Sequence, residues 1–285
     1  MQQLHVGSGT TRGALTVFPV WGEYAGPRGY SMDTTTAEMA EQASGPTVSQ
    51  LVAANRGSRP LLMLEGQVLE GGWQNRVLAR SVLVQPGTSL DLEVVCVEAG
   101  RWGGDKDHSW RDRRASLRVR SGLSAGEDRQ NEVWRRIAEY DARYGSNDTS
   151  SFAVHTDRAA HQVRHLVNGL RPVTGQVGVV VGISGQPALA EVFDNPHTLS
   201  SQFRSIIKAL ALDAIGQKEL ATPSRRARRF LDHTRHVNRR AVAPAGLGTT
   251  VAGANQYATV SALAWRRRDV HLVATNPRHN LSHSH

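Results

Sequence analysis

The segment Cys96-Val97-Glu98-Ala99-Gly100-Arg101-Trp102 brings a thiol, a carboxylate, a guanidinium and an indole together at the end of an apolar run. Alternation through Leu92, Val94, Cys96 and Glu98 predicts a strand with these four side chains on one face and Asp91, Glu93, Val95 and Val97 on the other. Glu98 then stands at the rim of an apolar face, where a carboxylate must find a donor or take up a proton. Arg101, three residues on past Gly100, is the nearest donor. Two other polar groups interrupt apolar runs at strand ends: Glu65, directly after Leu61-Leu62-Met63-Leu64, and Gln74-Asn75-Arg76, directly before Val77. If neighbouring strands are antiparallel, these ends can share one rim. Carboxylates, amides and guanidinium groups there can read a sugar-phosphate or a nucleotide, with Trp102 or Trp73 stacking a base. The candidate ligand-binding set is therefore Glu65, Gln74, Asn75, Arg76, Glu98, Arg101 and Trp102; the competing reading is a closed network of Glu–Arg pairs that fixes strand register.

No catalytic residue can be assigned. Cys96 as a nucleophile needs a base and a setting that favours the thiolate, and its place inside an apolar face predicts an inert core cysteine. His155, His161 and His165, at spacings of six and four, could put two imidazoles on one helical face, but no carboxylate stands in register to complete a metal site. His279, His283 and His285 read as a loose tail. Gly246-Leu-Gly-Thr-Thr-Val-Ala-Gly lacks the Lys-Ser/Thr that closes a phosphate loop, and no serine elbow, kinase set or zincin motif occurs. Neither a metal nor a cofactor is expected, and the choice between an enzyme and a binding protein stays open.

The positive charge is a C-terminal property. Residues 201–285 hold fourteen Lys/Arg against four Asp/Glu, in a chain of 285 residues whose net charge is +9. Its densest part is Arg225, Arg226, Arg228, Arg229, Arg235, Arg239 and Arg240, with Arg266, Arg267 and Arg268 further on. Such a face suits nucleic acid or an acidic protein partner. The alternative is a solvated surface in a chain that uses arginine where others use lysine, for it has only Lys106, Lys208 and Lys218. No run of eighteen apolar residues and no basic-then-apolar N-terminal segment occurs, and the single cysteine excludes an internal disulfide. The expectation is a cytoplasmic protein that does not enter membranes and is held by packing.

Apolar segments at 14–20, 48–54, 61–64, 77–84 and 90–97, divided by turn residues, predict antiparallel strands in a sandwich or open barrel. Residues 34–42 read as loop or weak helix, and 101–128 as an exposed charged excursion with one strand at 116–119. Helical spacing follows at 131–144, capped by Asp128 and stopped by Gly145, and a short helix at 158–168. A hairpin at 175–183 and 187–193 turns around Ser184-Gly185-Gln186. Residues 198–215 carry the broad apolar face of a core helix, and 224–237 predict a basic one. A Gly-rich link at 246–253, a hairpin of 257–265 with 270–275, and a disordered tail after Asn276 complete the reading. The predicted class is α+β: a β-rich domain over 1–125, then an α+β domain over 126–285, or one intertwined domain.

Leu64-Glu65-Gly66, Gln74-Asn75-Arg76 and Cys96 through Trp102 resemble a bacterial family named for its association with ADP-ribosylglycohydrolase and rhodanese-phosphatase proteins. Gln130 with Val133-Trp134, Phe193-Asp194-Asn195-Pro196 and Leu212-Asp213-Ala214 extend the resemblance over about residues 14–216, leaving the arginine-rich part after Ala221 without a match. The resemblance implies a component of ADP-ribose or NAD-linked metabolism with a nucleotide-like ligand. Arg76 and Arg101 would then hold phosphates, and Glu65 or Glu98 a ribose hydroxyl.

Overall fold

The computed structural model describes residues 3–23, 26–43, 45, 47–105, 107–124 and 126–282. In chain order the strands of the N-terminal half are β1 (Leu4–Val6), β2 (Thr10–Arg12), β3 (Leu15–Gly22), β4 (Ala37–Ala40), β5 (Gln50–Asn55), β6 (Leu61–Met63), β7 (Gln67–Gly71), β8 (Arg76–Leu78), β9 (Val82–Val84), β10 (Ser89–Cys96) and β11 (His108–Arg114). Helices α1 (Leu117–Gly122), α2 (Arg129–Ala138), α3 (Asp141–Tyr144), α4 (Phe152–Arg158) and α5 (Ala160–Val167) follow. The chain ends with β12 (Gly178–Ile183), β13 (Gln186–Phe193), α6 (Pro196–Ala214), α7 (Ser224–Arg235), β14 (Arg240–Ala245), β15 (Gly248–Ala254), β16 (Thr259–Trp265) and β17 (Arg268–Thr275). The class is α+β, with antiparallel sheets throughout the named strand pairs.

The described residues fall into two compact units, and neither is one stretch of chain. One comprises residues 29–160 with 245–247, the other 1–28, 161–244 and 248–285. The division therefore does not run at 125/126, because β1–β3 pair into the sheet built by the C-terminal strands.

In the unit of residues 29–160 a six-stranded sheet runs in the order β11-β7-β8-β10-β5-β4. An antiparallel bridge between Ala40 and Asp107 ties its two outer strands, so the sheet nearly closes on itself as the open barrel that the short strands predict. β6 and β9 pair separately, because the turn at 79–81 breaks the apolar run 77–84 into two strands of different sheets. The excursion at 101–128 is largely exposed at its two ends, 102–105 and 126–128, but its middle is largely buried. β11 pairs with β7, and 116–119 is the start of α1, where Ser116 caps by accepting from the Val119 amide at 3.4 Å and Leu117 and Val119 are fully buried. Helical spacing at 131–144 divides into α2 and α3. Asp128 precedes α2 without capping it; its carboxylate takes the Asn131 side chain instead, at 2.9 Å, and Gly145 at φ 75° ends α3. Residues 34–42 hold a 3-10 turn and β4.

In the other unit the sheet order is β1-β3-β12-β13-β17-β16-β15-β14, with β2 also on β3. Every residue of β12 is buried, as a central strand covered on both faces requires. Its Val180 joins Ala190, Val192, Phe18 and Val20 under Ala227, Phe230 and Leu231 of α7. Val179, Val181 and Ile183 alternate to the other face, where α6 packs on β12, β13 and β3. The turn between β12 and β13 has positive φ at Ser184 and Gly185, the hairpin geometry that matches strand twist. The supposed Gly-rich link is β15, paired with β16 from Thr249 to Ala254. The tail is ordered through Ser282: His279 is buried and its Nε2 lies 3.2 Å from the Ile183 carbonyl; His283 and His285 lie outside the described residues.

Gly182 shows how tightly this core is built. A Cβ there would stand 2.2 Å from the hydroxyl of buried Thr222 and 2.6 Å from its Cβ. Gly182→Val is expected to cost about 1–3 kcal/mol in urea unfolding; an unchanged midpoint would show that the segment before α7 gives way freely.

Candidate functional site

The strand-end cluster forms in part, and its inner half is closed. β8 and β10 pair with Arg76 opposite Cys96, so these two side chains share a face. Gln74 Oε1 sits between them, accepting from Arg76 NH1 at 3.1 Å and from the Cys96 thiol at 2.9 Å. The second guanidinium nitrogen of Arg76 reaches the Thr47 carbonyl at 3.5 Å and the Glu41 carboxylate at 3.9 Å. Glu41 in turn accepts from the Trp73 amide at 3.2 Å and lies 3.1 Å from His108 Nε2. Arg76 is 0% exposed, and Gln74, Cys96, Glu41 and His108 are all buried. The Gln130 side chain fixes the end of β10 like an added strand: it accepts from the Cys96 amide at 2.9 Å and donates to the Cys96 carbonyl at 3.0 Å.

Burial dominates the electrostatics here. It holds the Arg76 guanidinium below its usual pKa, against the attraction that Cys96 exerts once ionised and that of the Glu41 carboxylate. It pushes the Cys96 thiol up to about 11, so the thiol is protonated at neutral pH, the form that disfavours nucleophilic attack. It depresses His108 despite the adjacent Glu41 carboxylate.

The outer half is a clamp on a loop. Glu98 Oε2 accepts from Arg101 at 2.8 Å, the pairing that the i,i+3 spacing predicts, and from the Asn75 amide at 3.0 Å. Arg101 also donates to the Gly72 carbonyl at 2.6 Å, the Gly103 carbonyl at 3.1 Å and the Gly71 carbonyl at 3.2 Å. Gly71 and Gly72, at φ 110° and 54°, turn the backbone so that both carbonyls face this guanidinium. Burial raises the pKa of Glu98, but the hydrogen bonds and charge of Arg101 and the Asn75 amide outweigh it and leave the carboxyl below its usual range. Trp102 is 51% exposed and meets Trp73 edge to face at 5.4 Å.

Glu65 is not part of this cluster. Its carboxylate pairs with Arg120 of α1 at 3.4 Å, and its carbonyl accepts from Arg114 at 2.9 Å. Glu41, Thr47, His108, Arg114 and Arg120 escape a sequence reading because each sits in a segment without periodicity or far along the chain from its partner. The histidines at 155, 161 and 165 do not share one helix: α4 ends before Ala159, and buried His155 pairs with Asp141 at 3.1 Å, while His161 and His165 lie one turn apart on α5. No group of three or more His, Cys, Asp or Glu is placed to hold a metal ion among the described residues.

The arginine-rich segment divides by partner. Arg225, Arg228 and Arg229 form an exposed stripe on α7, opposite the buried Ala227, Phe230, Leu231 and Thr234. They and Arg240 make no hydrogen bond or ion pair among the described residues. Arg226 donates to the Gly185 carbonyl at 2.7 Å, Arg235 to the Leu4 carbonyl at 3.3 Å, and Arg239 pairs with Asp269 at 2.8 Å. Where α7 meets the β12–β13 turn and the segment after β17 lies a cavity of about 560 Å³, within the size range of small-molecule sites. Arg226, Arg229 and Arg278 line it, together with His233 and Tyr257, whose rings stack at 4.0 Å and 13°. Arg278 lies over the Tyr257 ring at 4.6 Å. Burial and the Arg229 charge hold His233 below its usual pKa.

No helix among the described residues is long and apolar enough to cross a membrane. Comparison with curated proteins and with solved structures gives no match. A family model does match, over residues 3–275, and so takes in the arginine-rich segment that the sequence motifs leave out. The chain belongs to the family described as the ARG and Rhodanese-Phosphatase-superfamily-associated Protein domain.

Proposed function

We propose that this protein binds a nucleotide-like ligand of the ADP-ribose class in the cavity beside α7, as a component of ADP-ribose or NAD-linked metabolism. The family's name associates it with ARG, the ADP-ribosylglycohydrolase. Association is not mechanism, and the observation that carries the reading is the cavity itself: three guanidinium groups around a stacked imidazole and phenol. Guanidinium groups suit a diphosphate, the His233 ring, stacked on Tyr257, offers a base an aromatic surface, and Gln186, Asn276 and Asn280 supply amides for ribose hydroxyls. The strand-end set Gln74, Asn75, Arg76, Glu98 and Arg101 supports this role less well, because it is largely buried and most of its donors and acceptors are spent on one another and on backbone. We assign it to holding β8, β10 and the 99–104 loop in register.

Calorimetry with ADP-ribose tests the proposal. Binding is expected for the unmodified protein, with Arg229→Glu and His233→Ala each weakening it about tenfold or more, since a stacked base contributes about 1–3 kcal/mol. No heat at millimolar ADP-ribose overturns it.

The unpaired stripe Arg225, Arg228 and Arg229 supports a second reading, a nucleic-acid face. Its signature is affinity for single- or double-stranded nucleic acid that falls steeply with salt and is lost in Arg225→Glu/Arg228→Glu, which leaves ADP-ribose binding unchanged. A flat salt response rules it out.

A further inference from the structure

A second cavity, of about 640 Å³, lies between α5, the 168–172 loop and the first half of α6. His161, Arg164 and His165 face it from α5 at i, i+3 and i+4, and Ser200, Phe203, Arg204 and Ile207 from α6 at i, i+3, i+4 and i+7. Arg171 closes the rim from the loop. The floor is apolar, with Phe203 and Ile207 nearly inaccessible, while Arg164, Arg171 and Arg204 are exposed.

No carboxylate lines this cavity. None of its three arginines makes a hydrogen bond or ion pair among the described residues, whereas Arg56, Arg113 and Arg239 each have an acidic partner elsewhere in the chain. Like charges converging on one concavity repel and raise the energy of the fold unless an anion enters; low-dielectric walls then focus their field on it. Guanidinium groups on two helices and a loop are forked donors aimed from three sides, which suits several phosphate oxygens better than a single carboxylate. Unlike the cavity beside α7, this one has no exposed Phe, Tyr or Trp ring in its lining; its exposed rings are the imidazoles of His161 and His165.

We propose that the α5–α6 cavity is a binding site for a compact polyphosphate anion, the diphosphate class, separate from the nucleotide-like site. Arg164, Arg171 and Arg204 hold the phosphate oxygens, and Ser200 and Asn168 donate at the edge. Its ligand is recognised by charge and shape without a base.

The test is calorimetry of the full chain with inorganic pyrophosphate, in an Arg229→Glu background so that the cavity beside α7 does not report. Pyrophosphate is expected to bind, with inorganic sulfate at least tenfold weaker. Arg164→Glu/Arg204→Glu in the same background is expected to abolish the binding without lowering the melting temperature, both side chains being exposed. Lysine at the same two positions keeps the charge and restores part of the affinity. Pyrophosphate affinity that is absent in the background protein, or unchanged within twofold by the charge reversal, overturns the proposal. ADP-ribose binding measured on Arg164→Glu/Arg204→Glu alone is retained if the two sites are distinct, and pyrophosphate binding in the Arg229→Glu background stands whatever becomes of the nucleotide reading.

Discussion

Arg76→Ala is expected to lower the free energy of unfolding by about 3–5 kcal/mol, because it removes one partner of a buried charge pair and leaves the other uncompensated. Arg76 is among the largest fully buried side chains, so the substitution also opens a cavity beside Cys96 and Gln74. Glu41 would keep only the Trp73 amide and His108. Its Oε2, like Nε of Arg76, already lacks a hydrogen-bond partner, so the network has little reserve. Arg76→Met/Glu41→Gln removes the charge problem while keeping volume and is expected to recover much of the loss. Urea unfolding of the three proteins gives the answer. A structural network behaves as described; a ligand site that tolerates Arg76→Ala with a loss under about 1 kcal/mol, while ADP-ribose binding disappears, would restore the strand-end cluster as the recognition site.

Acidification from about pH 7 to about pH 5 is expected to lower the urea midpoint substantially. His108, His155 and His279 are all buried, and burial holds each of them below the ordinary value of 6.5. The unfolded chain therefore takes up protons that the folded one refuses. This contribution to stability is complete above about pH 6.5 and is lost as pH falls toward the folded values, each unit of depression being worth about 1.4 kcal/mol. Glu98 adds a second stage, since its lowered pKa contributes stability above the ordinary 4.5 that disappears as pH falls through the folded value. On the alkaline side Cys96, ordinarily near 9.0 and here about 11, contributes stability present below 9 and lost as pH rises through 11. A midpoint that stays flat between pH 7 and pH 5 contradicts the buried, neutral histidines; His108→Gln is expected to flatten the curve in proportion to that residue's share.

What sequence alone determined about this protein is whatever a few adjacent residues decide together. Alternation through Leu92, Val94 and Cys96 is enough for β10, and the apolar spacing of Leu199, Phe203, Ile206 and Leu210 for α6. Ser184-Gly185 marks its hairpin because only residues tolerant of positive φ turn there, and Arg101 lies within reach of Glu98 by spacing alone. Where two periods fit the same few residues, as at 116–119, the cap at Ser116 and burial of Leu117 and Val119 chose helix. Only the tertiary structure decided which groups meet. Glu41 and His108 reach Arg76 because the six-stranded sheet curls until β4 bridges to β11, and β1–β3 join the C-terminal strands because β12 needs a neighbour on each side. The two basic cavities arise the same way, from helix faces and turns whose positive charges are visible in the chain, while their convergence depends on sheet register and helix packing, which act between residues far apart along it.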